Sequence, residues 1–184
     1  PEEILPAFIE TIRAAGVRRI TIHARKAWLQ GLSPKENRDI PPLDYELVHR
    51  MKDSFPDMHI SINGGIASLE QAKVHLDRGL DGVMIGRAAY HNPADILLGA
   101  DRLIYGAGQA VTRHEVVEAM KPYIAAHLGE GGKLAQVTRH MLGLFAGLPG
   151  ARQWRRVLSE QGHRDGAGIE VLDRALDAMA QAAA

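Results

Sequence analysis

Between residues 3 and 90 this chain repeats one unit three times: an amphipathic helical stretch, then a short β-branched run that stops in polar residues or glycine. Residues 3–15 space Ile4, Leu5, Phe8, Ile9 and Ile12 at helical intervals, and Gly16 stands where a helix C-cap falls. The run 17–22 then reads as a buried parallel strand ending in His23-Ala24-Arg25-Lys26. Residues 43–55 and 58–62 repeat the pair and end in Asn63-Gly64-Gly65. Residues 68–78, with Ser68 as N-cap, and 82–85 repeat it again and end in Gly86-Arg87.

That repeat leaves few architectures open. Parallel strands joined through helices require right-handed crossovers, and such sheets bind their ligands at the carboxyl ends of the strands. The three polar tips are therefore expected to meet at one ligand. Three strands do not close an eight-stranded barrel, which takes about 250 residues. Further strands are expected before Pro1, where the sequence starts without Met and with a helix already under way.

After Pro93 the pattern is helical only. Residues 112–128 begin with a capping-box signal, Thr112 with Glu115. Helices are expected again at 133–145, at 151–161 beyond Gly147-Leu148-Pro149-Gly150, and at 169–183. The expected fold is α/β: the C-terminal part of a (β/α)8 TIM barrel at 1–98, a connection at 99–110, and an all-α helical bundle at 111–184.

Composition narrows the chemistry. The sequence contains no cysteine, so disulfides, thiolate metal sites and thiol catalysis are excluded within it, and its nine histidines are scattered; no metal site is expected. No run of about 18 apolar residues could span a bilayer, and residues 1–4 lack the character of a signal peptide, so the expected compartment is the cytoplasm. The formal net charge is zero but unevenly distributed. Residues 17–38 hold six Lys/Arg against one acid, and residues 110–164 hold eight against four. Two basic segments thus flank a more acidic middle, so the zero net charge does not argue against a nucleic-acid surface.

The Asn63-Gly64-Gly65 turn suits a phosphate, since glycines allow close backbone approach and a helix N-terminus near Ser68 favours an anion. Gly86 repeats the close-approach glycine, and Arg87 adds a guanidinium that can fork onto phosphate oxygens. His23 could hydrogen-bond a cofactor. As ordinary surface features, the same glycines are turns and Arg87 an ion-pair partner. Arg152, Arg155 and Arg156 fall at i, i+3 and i+4, so one helix face can meet consecutive phosphates, whereas Trp154 points elsewhere and reads as a core anchor.

Taken in order, His-Ala-Arg-Lys-Ala at 23–27, Trp28, Gly-Leu-Ser-Pro-Lys-Glu-Asn-Arg at 31–38, Pro-Pro-Leu-Asp-Tyr at 41–45, Asn-Gly-Gly-Ile at 63–66 and Asp-Gly-Val-Met-Ile-Gly-Arg at 81–87 resemble the tRNA-dihydrouridine synthases. The 31–38 loop is closest to the DusA subfamily. The resemblance implies an oxidoreductase that reduces uridines of the tRNA D-loop using FMN and NADPH and acts as a monomer. It implies FMN contacts from His23, Asn63, Gly64, Gly65, Gly86 and Arg87, and tRNA contacts from Lys35, Arg38, Arg152 and Arg155. In that family a cysteine protonates the uracil carbon, and earlier strands add a Pro-Met turn, a Gln and a Lys near the flavin. None of these aligns here, so no catalytic residue is assigned, and the chain alone is expected to be inactive and to bind FMN weakly or not at all. Two alternatives use the same features: a phosphate-binding barrel aldolase or isomerase, and an RNA-binding module without redox activity.

Overall fold

A computed structural model describes residues 3–183. The chain divides into two compact units, Pro1–Gly86 and Arg87–Ala184.

In the first unit, helix α1 (Ile4–Ala14), strand β1 (Arg19–His23), helix α2 (Tyr45–Ser54), strand β2 (His59–Asn63), helix α3 (Leu69–Asp77) and strand β3 (Gly82–Met84) follow in the order the repeat predicts. The strands form one parallel sheet in the order β1-β2-β3, with Ile20 opposite Ile60, His23 opposite Asn63, and Asn63 opposite Met84. This architecture is consistent with part of a (β/α)8 barrel. Caps define the helices. Asp44 accepts from the Leu47 amide at 2.9 Å, and Ser68 accepts from Gln71 at 3.2 Å, at the start of α3 that the sequence predicts.

The strands differ from the expected two-sided burial. Ile20, Ile22, Ile60, Ile62 and Val83 join a core with Ile9 of α1, Val48 and Met51 of α2, Ala72 of α3 and Leu80. Arg19, Thr21 and His23 are exposed on the opposite face, beside the half-buried His59, Ser61 and Asn63. Strand period is two, so alternating apolar and polar residues place all the isoleucines on one face. On β1 and β2 the other face is polar and carries His23 and Asn63, and on β3 it continues with Gly82 and the exposed Met84.

The second unit contains α4 (Arg87–His91), α5 (Pro93–Tyr105), α6 (Arg113–Gly129), α7 (Leu134–Thr138), α8 (Ala151–Gln161) and α9 (Glu170–Ala183). The stretch expected as a connection from residue 99 is helical through Tyr105, where Gly106 at φ 63° ends α5. The Thr112–Glu115 capping box forms as read. The helix expected over 133–145 stops at Thr138. Beyond it the chain winds through i to i+3 bonds such as Leu144 to Met141 and Ala146 to Gly143. Within this path Gly143 lies close against the His91 backbone, where a Cβ would collide with the carbonyl oxygen. Val117, Ile124, Leu134, Phe145, Leu158 and Leu172 form the core around Trp154, which is fully buried, donates Nε1–H to the Met141 carbonyl at 3.0 Å and meets Phe145 edge-on at 4.8 Å. Trp154 is the anchor its helix position implied.

Candidate functional site

The sheet register sets His23, Asn63 and Met84 side by side at the carboxyl ends of the strands. Asn63 ties these tips together. Its Nδ2 donates to the Met84 carbonyl at 2.9 Å, and its Oδ1 lies 2.5 Å from His23 Nδ1. With the amide nitrogen bound to Met84, Oδ1 can only accept, so His23 Nδ1 carries the proton. That tautomer leaves Nε2 as an acceptor. His23 is exposed and also lines a cavity of about 290 Å³ with Ile22, Ala24, Arg25 and Asp44.

Beyond Asn63, Gly64 and Gly65 take φ values of 119° and 68°, backbone that side chains rarely adopt. A Cβ on Gly65 would fall 2.6 Å from Leu43 Cδ1 and 3.1 Å from the Tyr45 hydroxyl. Gly64 is buried, whereas Gly65 is exposed. Tyr45 donates its hydroxyl hydrogen to the Gly64 carbonyl at 2.8 Å. Sequence pattern assigned no role to Leu43 or Tyr45, although both stand in the Pro-Pro-Leu-Asp-Tyr motif. The start of α3 is less open to an anion than the sequence suggested. Ser68 accepts the Gln71 amide, and the Gln71 side chain accepts the Ala67 amide at 2.8 Å. The Glu70 carboxylate bonds its own backbone amide and the Ser68 hydroxyl, which holds its pKa below the ordinary value and puts a negative charge on that first turn.

Within Asp-Gly-Val-Met-Ile-Gly-Arg, the first two residues serve the fold. Asp81 accepts from the Ile60 amide at 2.8 Å and pairs with Lys52 at 2.8 Å. Gly82 leaves room for Ser61, whose Oγ would lie 2.5 Å from a Cβ there. Gly86 closes the first unit and has only Met84 Sδ, at 3.8 Å, near the place of a Cβ. Arg87 is exposed and opens α4.

The loop from Trp28 to Arg38 is held by its own polar groups. Asn37 Oδ1 accepts the Trp28 amide at 2.7 Å and Nδ2 donates to the Trp28 carbonyl at 3.0 Å. Ser33 and Glu36 exchange bonds across a short 3-10 turn at Glu36–Arg38. Lys35 and Arg38 are exposed on this loop. Arg25, by contrast, turns inward to the Asp39 and Pro41 carbonyls. On α8, Arg152, Arg155 and Arg156 are all exposed while Ala151, Trp154, Val157 and Leu158 are buried, as the helical spacing predicts. Arg113 and Lys121 contribute less free charge to this unit, being paired with Asp95 and with Glu118 and Asp173.

The family model described as Dihydrouridine synthase (Dus) matches residues 2–182. The chain belongs to the dihydrouridine synthase family. It is 58% identical over 178 residues to the tRNA-dihydrouridine(20/20a) synthase of Shewanella oneidensis, a match covering 96% of this chain and 52% of that protein. The Salmonella typhimurium protein of the same name is 57% identical over 94% of this chain and 52% of its own length. That of Vibrio cholerae is 54% identical, over 95% and 53%. The chain thus spans about half the length of the curated relatives it matches.

Proposed function

We propose that this chain works as the C-terminal half of an enzyme that reduces uridine to 5,6-dihydrouridine in the tRNA D-loop, at the positions 20 and 20a that its relatives' names carry. FMN is the proposed cofactor and NADPH the reductant. The observation that carries this reading is the convergence of His23, Asn63 and the Gly64-Gly65 turn at one end of the sheet, within a family match of nearly the whole chain.

The residues present fit a flavin mononucleotide. Gly65 is exposed and has no side chain, so a phosphate can approach its backbone. His23 Nε2, an acceptor while Nδ1 donates to Asn63, suits a ribityl hydroxyl. The resemblance adds Gly86 and Arg87 to the same set. The chemistry such a flavin supplies is hydride transfer to the uracil ring, with the protonating cysteine expected from a part of the protein outside this chain.

The first unit is proposed to serve the barrel, and the second, in which residues 99–105 are helical, an RNA-binding helical domain. Lys35 and Arg38 on the loop, and Arg152 and Arg155 on α8, are the proposed tRNA contacts, consistent with their exposure. The aldolase or isomerase alternative would need a lysine or a carboxylate pair at a strand end, and β1, β2 and β3 end in His23, Asn63 and Met84. We place the working protein in the cytoplasm as a monomer; among the described residues no helix is long and apolar enough to cross a membrane.

The test is the protein extended to the length of its relatives. It should purify with the visible absorbance of oxidised flavin, bleach on addition of NADPH, and form dihydrouridine in tRNA lacking that modification. A colourless protein that FMN does not reconstitute would refute the proposal.

A further inference from the structure

The Pro41-Pro42-Leu43-Asp44-Tyr45 segment acts on the glycine turn. Asp44 donates its amide to the Ala24 carbonyl at 2.8 Å, and Ala24 in turn donates to the Asn63 carbonyl at 2.8 Å, so the segment is stitched to the tips of β1 and β2. From there Leu43 walls both glycines, and Tyr45 reaches the Gly64 carbonyl at 2.8 Å. The Tyr45 ring is itself fixed, edge-on to His75 of α3 at 4.7 Å between centroids.

A trans peptide is planar, so the N–H of Gly65 points opposite to the C=O of Gly64. Between two glycines that plane can rotate at little steric cost, because neither flanking residue has a Cβ to resist it. Turned one way, the peptide offers an N–H to a ligand; turned the other way, it offers a carbonyl oxygen, which repels an anion. A hydrogen bond to the Gly64 oxygen selects the first orientation.

We propose that Tyr45 is a positioning residue for the Asn63-Gly64-Gly65 turn, holding the Gly64–Gly65 peptide so that the Gly65 N–H faces the phosphate of the flavin. The proposal rests on the reading of this turn as the phosphate cradle. It deepens that reading by assigning the cradle's preformed state to one hydroxyl.

Three proteins of full relative length decide it: the unsubstituted one, Tyr45→Phe and Gly65→Ala. Each is stripped of flavin and titrated with FMN and with riboflavin, which lacks the phosphate, following flavin fluorescence. Tyr45→Phe keeps the ring on His75 and removes only the hydroxyl. It should weaken FMN binding about five- to ten-fold, the worth of one hydrogen bond, and leave riboflavin binding unchanged. Equal weakening of both flavins would overturn the proposal, because Tyr45 would then support the fold at large. So would unchanged FMN affinity in Tyr45→Phe while Gly65→Ala loses it, a result that leaves the turn as the phosphate site. If neither substitution alters the preference for FMN over riboflavin, the turn is not the phosphate site, and both readings fall.

Discussion

The buried pair His49–His75 gives the sharpest prediction, a pH dependence of stability with a fixed sign. His49 on α2 and His75 on α3 are 7% and 6% exposed, and Nε2 of the first lies 3.1 Å from Nδ1 of the second. One ring must donate and the other accept, which two neutral imidazoles do with complementary tautomers. Burial lowers both pKa values from the ordinary 6.5; like charge from Arg78 adds to the effect at His49, and like charge from His49 and Arg78 adds to it at His75. Glu46 and Asp53 work against the shift at His49, but Glu46 is held by both terminal nitrogens of Arg78 at 2.8 Å.

A depressed histidine pKa means that the unfolded chain binds protons the folded chain refuses. Stability contributed by the pair is therefore complete above pH 6.5 and is lost as pH falls below it. Each proton refused contributes at most roughly 1 kcal/mol per pH unit, so the pair sets an upper bound of roughly 3 kcal/mol per pH unit, reached only between the folded and the unfolded pKa values. The assay is urea denaturation at intervals between pH 7.5 and pH 5, comparing the protein with a His49→Leu/His75→Phe double variant that replaces both partners by apolar groups. The difference between the two should be flat above pH 6.5 and should move against the natural pair below it. Parallel curves throughout would refute the assignment of neutral, mutually bonded rings.

Trp154→Ala should cost about 3–5 kcal/mol, because a fully buried indole and its bond to the Met141 carbonyl are lost together; a drop below about 1 kcal/mol in denaturation would contradict its role as anchor. Replacing Arg152 and Arg155 by Ala should leave the melting temperature nearly unchanged, weaken tRNA binding, and lower the salt slope of log K by about 1 for each phosphate no longer neutralised. Unaltered affinity and slope would remove α8 from the RNA surface.

Much of this protein was legible in one dimension. The order of helices and strands in the first unit, the Ser68 and Thr112 caps and the outward face of Arg152, Arg155 and Arg156 follow from local chemistry, because capping and periodicity act over a few residues. Among the motifs that carried the family resemblance, Gly64 and Gly65 are required by the positive φ of their turn. The end of α7 was not legible, since the apolar spacing of residues 139–145 continues a helical pattern while the backbone there takes i to i+3 bonds and brings Gly143 against the His91 carbonyl.

Only the tertiary structure brought residues far apart in sequence into single devices. Asn63 bonds His23 and Met84 across two strand pairs, Tyr45 meets a carbonyl 19 positions away, and His49 finds His75 on the next helix. Sequence determines which groups exist and which face of an element they share. Partnership between them depends on strand register and helix packing, which are set by the whole hydrophobic core and by no local pattern.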